Sequence, residues 1–127
     1  MSEKQPIKTD KAAAPIGPYN QGIRWDKLIF TASVPTSNPK LGPAPEGDVK
    51  AAARNALENV KAILEEGGSG LQHLLKVTLY IRSMDDFAAI NEVYAEYIPE
   101  PRPVRSLVLV QGARSPVSFD AIAYVPD

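Results

Sequence analysis

The spacing of apolar residues along the chain predicts two amphipathic helices. From Asp48 onward, apolar residues recur at the i, i+3, i+4 and i+7 positions of a helix, namely Val49, Ala52, Ala53, Ala56, Leu57, Val60, Ile63 and Leu64. Asp48 can cap the first helical N–H groups, and Gly67 can end the helix. The stretch SMDDFAAINEVYAEYI shows the same spacing and has Ser83 as its candidate N-cap, which predicts a second helix.

Around the helices, apolar and polar residues alternate as they do in β-strands. The sequence IRWDKLIFTASV predicts a hairpin around residues 23–34. LLKVTLYIR predicts one strand, whose apolar side is formed by Leu75, Val77, Leu79 and Ile81. VRSLVLV and VSFDAIAYV predict two last strands. The resulting order, β-β-α-β-α-β-β, predicts an α+β fold in which two helices pack on one face of a single mixed β-sheet.

In this arrangement one face of the sheet has no helix to cover it. An uncovered sheet face that carries apolar side chains in a small domain is typical of an interface with another chain. The order of elements therefore favours an oligomer over a monomer.

Length and charge narrow the possible partners. The 127 residues fit a single domain, residues 1–127, with one core. The formal net charge is −1, so no basic surface indicates a nucleic acid partner. No apolar run approaches the ~20 residues of a membrane span, and the N-terminus lacks the apolar core of a signal peptide. We therefore expect a soluble cytoplasmic protein with no membrane partner.

The sequence offers few ligands for a metal or a cofactor. It contains no cysteine, which excludes disulfides and thiolate nucleophiles. The single histidine, His73, has no candidate partner nearby in the sequence, which favours a surface residue over a catalytic base. We expect neither a metal site nor a cofactor.

Arg105 is the most informative polar residue, because it interrupts the apolar run of PRPVRSLVLV. A guanidinium stays charged in any protein, so in a buried strand it needs an anionic partner or access to water. Two interpretations are open at this point. Either Arg105 binds an anionic ligand, or it forms a structural salt bridge with a carboxylate such as Asp120 or Glu92.

Several segments together resemble the RidA family of reactive-intermediate imine deaminases, part of the YjgF-like endoribonuclease L-PSP superfamily. These segments are APIGPYNQGI, NPKLG, NALENVKAILEEGG, VTLYIRSMDDFAAINEVYAEY, RPVRSLVLV and DAIA. The resemblance implies a chorismate mutase-like fold and a homotrimer with an active cleft at each subunit boundary. It also implies hydrolysis of small 2-imino or enamino acids to 2-oxo acids and ammonia, without a cofactor.

The resemblance further implies roles for individual residues. The arginine in the position of Arg105 receives the substrate carboxylate, the tyrosine in the position of Tyr19 lines the cleft, and the asparagine matching Asn91 lies near it. Thr31 and Leu107 complete the expected substrate-binding residues, although a cysteine is common in the position of Leu107. Simple packing is the alternative role for Tyr19.

The sequence departs from the family at the residue that helps to hold the hydrolytic water. Active members have a glutamate two residues before the acid of an EAIA-like motif. In SFDAIA, Ser118 takes the place of that glutamate and Asp120 is the second acidic position. A serine hydroxyl can hydrogen-bond a water but cannot act as a carboxylate base. Asp120 shares a strand face with Ser118 and is the candidate replacement, so we expect slow or substrate-restricted turnover.

Three functions are compatible with these features. The first is an imine deaminase with Arg105, Tyr19, Ser118 and Asp120 as its catalytic residues. The second is a non-catalytic trimer that binds or responds to small metabolites. The third is RNA cleavage, which some members of the family are reported to show. The near-neutral charge and the lack of a strip of basic and aromatic residues argue against the third.

Overall fold

The computed structural model describes residues 3–127 and shows a mixed α+β fold with one main sheet and two helices. The helices are α1, Val49–Glu66, and α2, Phe87–Tyr97. The strands, in chain order, are β1 Gln5–Ile7, β2 Gly22–Trp25, β3 Leu28–Thr31, β4 Ser37–Asn38, β5 Gly42–Pro43, β6 Leu74–Ile81, β7 Val104–Leu109 and β8 Val117–Tyr124. Within the described residues, neither helix combines the length and the apolar character needed to cross a membrane.

The main sheet has the strand order β1-β2-β3-β8-β6-β7, and β4 pairs with β5 in a separate hairpin. β6 and β7 are parallel because α2 connects them, whereas the other neighbours in the main sheet are antiparallel. This confirms the predicted mixed sheet with two helices. It adds β1, β4 and β5, which the sequence pattern did not predict because strands of two or three residues are too short to show a period of two.

The start of α1 is capped as predicted. The Asp48 carboxylate accepts a hydrogen bond from the Ala51 N–H at 3.0 Å. The helix ends at Glu66, and Gly67 follows as its C-cap. A Cβ at Gly67 would lie 2.7 Å from the Cδ1 atoms of both Ile7 and Ile29. The absence of a side chain at Gly67 therefore lets the end of α1 pack closely on the sheet.

The second helix begins later than predicted. The Ser83 hydroxyl accepts a hydrogen bond from the Asp85 N–H at 3.2 Å and caps a short 3-10 turn, Met84–Asp86. The α-helix itself starts at Phe87. Ser83 is therefore a cap, as predicted, but of the turn that leads into α2.

The prediction for β6 was wrong at one position. Leu75 was placed on the apolar side of this strand but is exposed, whereas Leu74 is buried. The register of β6 against β8 shifts between Leu74 and Lys76. Such a β-bulge inserts one extra residue and changes which side chains face the core. From Val77 onward the alternation follows the prediction.

The helices cover one face of the sheet and leave the other without a covering layer. The core beneath the helices includes fully buried side chains from the sheet and both helices, among them Ile29, Leu57, Ile63, Leu79, Ile90 and Phe119. The opposite face, termed the uncovered face, carries the exposed large side chains Trp25, Phe30, Val104, Val108 and Tyr124. This is the apolar face that the predicted order of elements leaves open.

A buried carboxamide on α1 fixes two irregular segments of the chain. The Asn59 side chain accepts hydrogen bonds from the Ala13 N–H and the Asn38 amide, and it donates to the carbonyls of Pro35 and Ser37. Asn59 is fully buried, so losing these partners would leave costly unpaired polar atoms. The helical pattern alone gave no sign of this network.

Candidate functional site

Arg105 lies on the edge strand β7 and has no carboxylate partner within residues 3–127. It stands opposite Val77 in the parallel β6–β7 ladder, so its side chain is on the helix-covered face. Its guanidinium carbon lies 4.8 Å from the ring centre of Tyr94 and 5.7 Å from that of Phe87, within the range of cation–π contacts. Among residues 3–127, no ion pair or side-chain hydrogen bond involves this guanidinium.

The geometry contradicts a structural salt bridge from Arg105 to Asp120 or Glu92. Asp120 accepts a hydrogen bond from the Tyr80 hydroxyl at 2.7 Å on the other face of the sheet. Glu92 accepts one from Lys50 at 2.6 Å, and this bond lowers the pKa of the Glu92 carboxyl. The guanidinium of Arg105 is therefore supported by aromatic rings, and its N–H groups remain available to an anion.

A pocket of about 340 Å³ surrounds Arg105 and is termed the arginine pocket. It is lined by Asn91, Tyr94, Ala95, Arg102, Pro103 and Arg105. Asn91 comes from α2, so the helix and the edge strand bring this carboxamide to the same pocket as the guanidinium. Burial raises the pKa of Tyr94, and the charges of Arg105 and Arg102 partly offset that rise. The phenol is therefore neutral at physiological pH, which leaves the pocket with a net positive charge.

Ser118 lies on the uncovered face of the sheet, in a second cavity. The Ser33 hydroxyl donates a hydrogen bond to the Ser118 hydroxyl at 2.8 Å. This cavity, termed the serine cavity, has a volume of about 450 Å³ and is lined by Ser33, Tyr80, Ile81, Val110, Ala113, Arg114, Ser115 and Ser118. Sequence reasoning did not assign Ser33 or Tyr80 to the site. The pairing of β8 with β3 and β6 brings both beside Ser118, and no local pattern encodes that pairing.

Asp120 and Ser118 lie on the same face of β8, as the period of two predicts. Both side chains are partly buried, whereas the residues before and after each of them in the strand are buried. Its carboxylate is already bonded to the Tyr80 hydroxyl. This bond is the main reason for the raised pKa of Tyr80, since it stabilises the protonated phenol beside a negative carboxylate. Asp120 therefore has one oxygen committed to a protein partner before any water is bound.

Three of the predicted substrate-binding residues line neither pocket, namely Tyr19, Thr31 and Leu107. Tyr19 is 41% exposed, and its hydroxyl accepts a hydrogen bond from the Ile16 N–H at 3.2 Å. Thr31 is buried, and its hydroxyl accepts a hydrogen bond from the Ala121 N–H at 3.1 Å. That bond lies one position beyond the β3–β8 ladder. It favours a structural role for Thr31, whereas Tyr19 is free to meet another surface.

One chain does not bring all of the predicted catalytic groups together. Arg105, Asn91 and the partly exposed Leu107 lie on the helix-covered side of the sheet. Ser118 and Asp120 lie on the uncovered face. The carboxylate-binding group and the water-holding group are thus separated by the sheet itself.

Comparison with known proteins places the chain in a family. The sequence profile described as Endoribonuclease L-PSP matches residues 9–125. The chain is 45% identical over 125 residues to a RutC family protein of Pyrococcus horikoshii, covering 95% of this chain and 98% of that relative. It is 40% identical over 124 residues to the 2-iminobutanoate/2-iminopropanoate deaminase of Escherichia coli, covering 92% and 94%. The chain therefore belongs to the RidA/YjgF-like endoribonuclease L-PSP family, and the resemblance is confirmed.

A solved structure agrees with this assignment. The crystal structure of E. coli TdcF with bound serine matches with a TM-score of 0.84 and 36% identity, covering 94% of this chain and 98% of that chain. The match confirms the predicted fold class. It also shows a related protein that holds a small molecule with a carboxylate.

Proposed function

We propose that the protein hydrolyses small 2-imino or enamino acids to 2-oxo acids and ammonia. The observation that carries the proposal is Arg105, a guanidinium held against Tyr94 at an open pocket, with no carboxylate partner in the described part of the chain. Two parallel N–H groups of a guanidinium match the two oxygens of a planar carboxylate. The E. coli relative named as a 2-iminobutanoate/2-iminopropanoate deaminase supports this chemistry at the level of the family.

The complete site would form between subunits of a homotrimer. The uncovered apolar face needs a covering surface, and β7 is an edge strand that exposes Val108 on that face and Leu107 on the side of the arginine pocket. A second copy of the chain supplies such a surface. It would set the serine cavity of one subunit against the arginine pocket of the next, with the exposed Tyr19 lining the cleft. We choose threefold symmetry for this assembly because the resemblance to RidA proteins implies a trimer.

In such a cleft the reaction needs little beyond orientation. Arg105 holds the carboxylate, and the imine carbon faces Ser118 of the neighbouring subunit. Water adds to this carbon, a proton passes to the nitrogen, and the resulting amino alcohol loses ammonia to leave the 2-oxo acid. Imines hydrolyse unaided in water, so placing the carboxylate and the water already accelerates the reaction. The hydroxyls of Ser33 and Ser118 can hold the water but cannot remove its proton, which makes turnover slow or substrate-restricted.

Ser118 also favours a second candidate function, a trimer that binds small carboxylates without turning them over. The Ser33–Ser118 pair keeps hydrogen-bonding capacity in the cavity while it lacks a base. Arg105 would have the same role in a binding trimer, because it contacts the carboxylate of the ligand and takes no part in breaking the C=N bond.

Imine hydrolysis by the purified protein decides between the two functions. An L-amino acid oxidase generates 2-iminobutanoate or 2-iminopropanoate from the matching amino acid, and the loss of the imine is followed with and without the protein. We expect faster loss, in proportion to the protein concentration. A rate equal to the background, combined with measurable binding of 2-oxobutanoate, would favour the binding trimer. A lack of both turnover and binding would contradict both functions.

A further inference from the structure

The arginine pocket contains a second cation, Arg102, which the proposed hydrolysis does not use. Arg102 lines the pocket together with Arg105 and Asn91, and no aspartate or glutamate is among its lining residues. Its side chain is 46% exposed. Two guanidinium groups thus line one pocket, although the chain as a whole has a formal net charge of −1.

The contacts of Arg102 fix its position and leave donors for an anion. Its Nε donates to the Ile98 carbonyl at 3.1 Å, and its Nη1 donates to the Glu100 carboxylate at 3.1 Å. These bonds occupy two of the five N–H groups of a guanidinium. Glu100 is itself 75% exposed, so its ion pair with Arg102 is weak and a ligand carboxylate can join or replace it at little cost.

Both guanidinium groups act on the same small volume. Burial raises the pKa of Tyr94, while the charges of Arg105 and Arg102 each lower it. Arg102 and Arg105 line the same pocket, and Tyr94 lies in its wall with them. The volume of about 340 Å³ is at the lower end of the range for small-molecule sites. A single ligand of a few carbons can therefore reach both cations.

We propose that Arg102 selects substrates with a second carboxylate, so that the preferred class is 2-imino dicarboxylates. The 2-imino carboxylate binds Arg105 and the distal carboxylate binds Arg102. This rests on the proposed function, because it assigns the first carboxylate to Arg105. A monocarboxylate with an apolar tail would instead place a methyl group against a charged guanidinium, and such a mismatch disfavours the wrong ligand.

Calorimetry with two matched 2-oxo acids tests the proposal. 2-Oxoglutarate and 2-oxopentanoate have the same carbon chain, except that the first ends in a carboxylate and the second in a methyl group. We expect the wild type to bind 2-oxoglutarate roughly fivefold more tightly, the upper range for an ion pair at a partly exposed site. Arg102→Gln should abolish this preference by weakening 2-oxoglutarate binding alone. Arg102→Lys keeps the charge and should restore most of the preference.

Glu100→Gln provides an independent variant that keeps Arg102 and its bond to Ile98. By removing the competing carboxylate, it should tighten 2-oxoglutarate binding about twofold and leave 2-oxopentanoate binding unchanged. This measurement keeps the test decisive if the Arg102 variants fold poorly. An equal change for both ligands would count against Arg102 as the selecting residue.

Arg105→Lys separates failure of this proposal from failure of the proposed function. It should weaken both ligands, because they share the 2-oxo carboxylate. If it changes neither, the carboxylate site at Arg105 is wrong. If it weakens both while the wild type shows no preference, or while Arg102→Gln weakens both ligands equally, the role of Arg102 alone is overturned.

Discussion

Arg105→Lys is expected to reduce the affinity for 2-oxo acids such as 2-oxobutanoate by about tenfold or more while the protein stays folded. A lysine keeps the charge but presents a single ammonium, so the bidentate geometry of the carboxylate is lost. A hydrogen bond to a charged group contributes about 1.5–3 kcal/mol, and losing one of two accounts for this factor. Isothermal titration calorimetry on the wild type and the variant measures the effect.

A matched control for this variant is Arg54→Lys. Arg54 lies on α1 and lines neither the arginine pocket nor the serine cavity. The Arg54→Lys variant should bind 2-oxobutanoate with the same affinity as the wild type. Thermal unfolding should show similar midpoints for both variants, because Arg105 makes no salt bridge with any residue that the structure describes, and so none is lost. If the wild type and Arg105→Lys bind 2-oxobutanoate with equal affinity, Arg105 does not bind the ligand carboxylate and the proposed site is wrong.

Ser118→Glu is expected to increase the rate of 2-iminobutanoate hydrolysis by about 10²-fold. The substitution restores a carboxylate that can orient the attacking water and accept its proton. General base catalysis contributes 10²–10⁴-fold in enzymes, and we expect about the lower value because the surrounding serine cavity is not arranged around a carboxylate. The oxidase-coupled assay measures the rate. Ser118→Ala is the control, and it should leave the rate at or below that of the wild type.

Other outcomes for Ser118→Glu would revise the mechanism in specific ways. A wild type as fast as the glutamate variant would show that another group already positions the water. Asp120→Asn would then be the decisive change, because Asp120 is the carboxylate on the same sheet face. If neither protein exceeds the background rate while 2-oxobutanoate still binds, the result favours the binding trimer.

Local patterns were sufficient to predict the helices and most of the sheet. The cap at Asp48 and the apolar stripe of α1 depend on residues within a few positions of each other, so sequence spacing specifies them. The β-bulge before Lys76 was missed because a single inserted residue leaves the apolar composition unchanged and shifts only the register. β1, β4 and β5 were missed because strands of two or three residues are too short to show a period of two. The position of β4 also depends on a contact with a distant segment, since the Asn59 side chain donates a hydrogen bond to the Ser37 carbonyl.

The candidate site was predictable in its residue types but not in its layout. A guanidinium within an apolar strand required an explanation, and that reasoning led to Arg105. The relation of Arg105 to Ser118 could not be read from the sequence, since it depends on the parallel register of β6 with β7 and the antiparallel register of β6 with β8. These registers place the two residues on opposite faces of the sheet. A site built from both therefore needs a neighbouring subunit.

A crystal structure of the protein with 2-oxobutanoate tests the composite site most directly. We expect a threefold assembly with one ligand at each subunit boundary. Its carboxylate should accept two parallel hydrogen bonds from Arg105, and its keto carbon should face the Ser33–Ser118 pair of the neighbouring subunit. A monomeric protein, or a ligand bound away from Arg105, would contradict the proposed site.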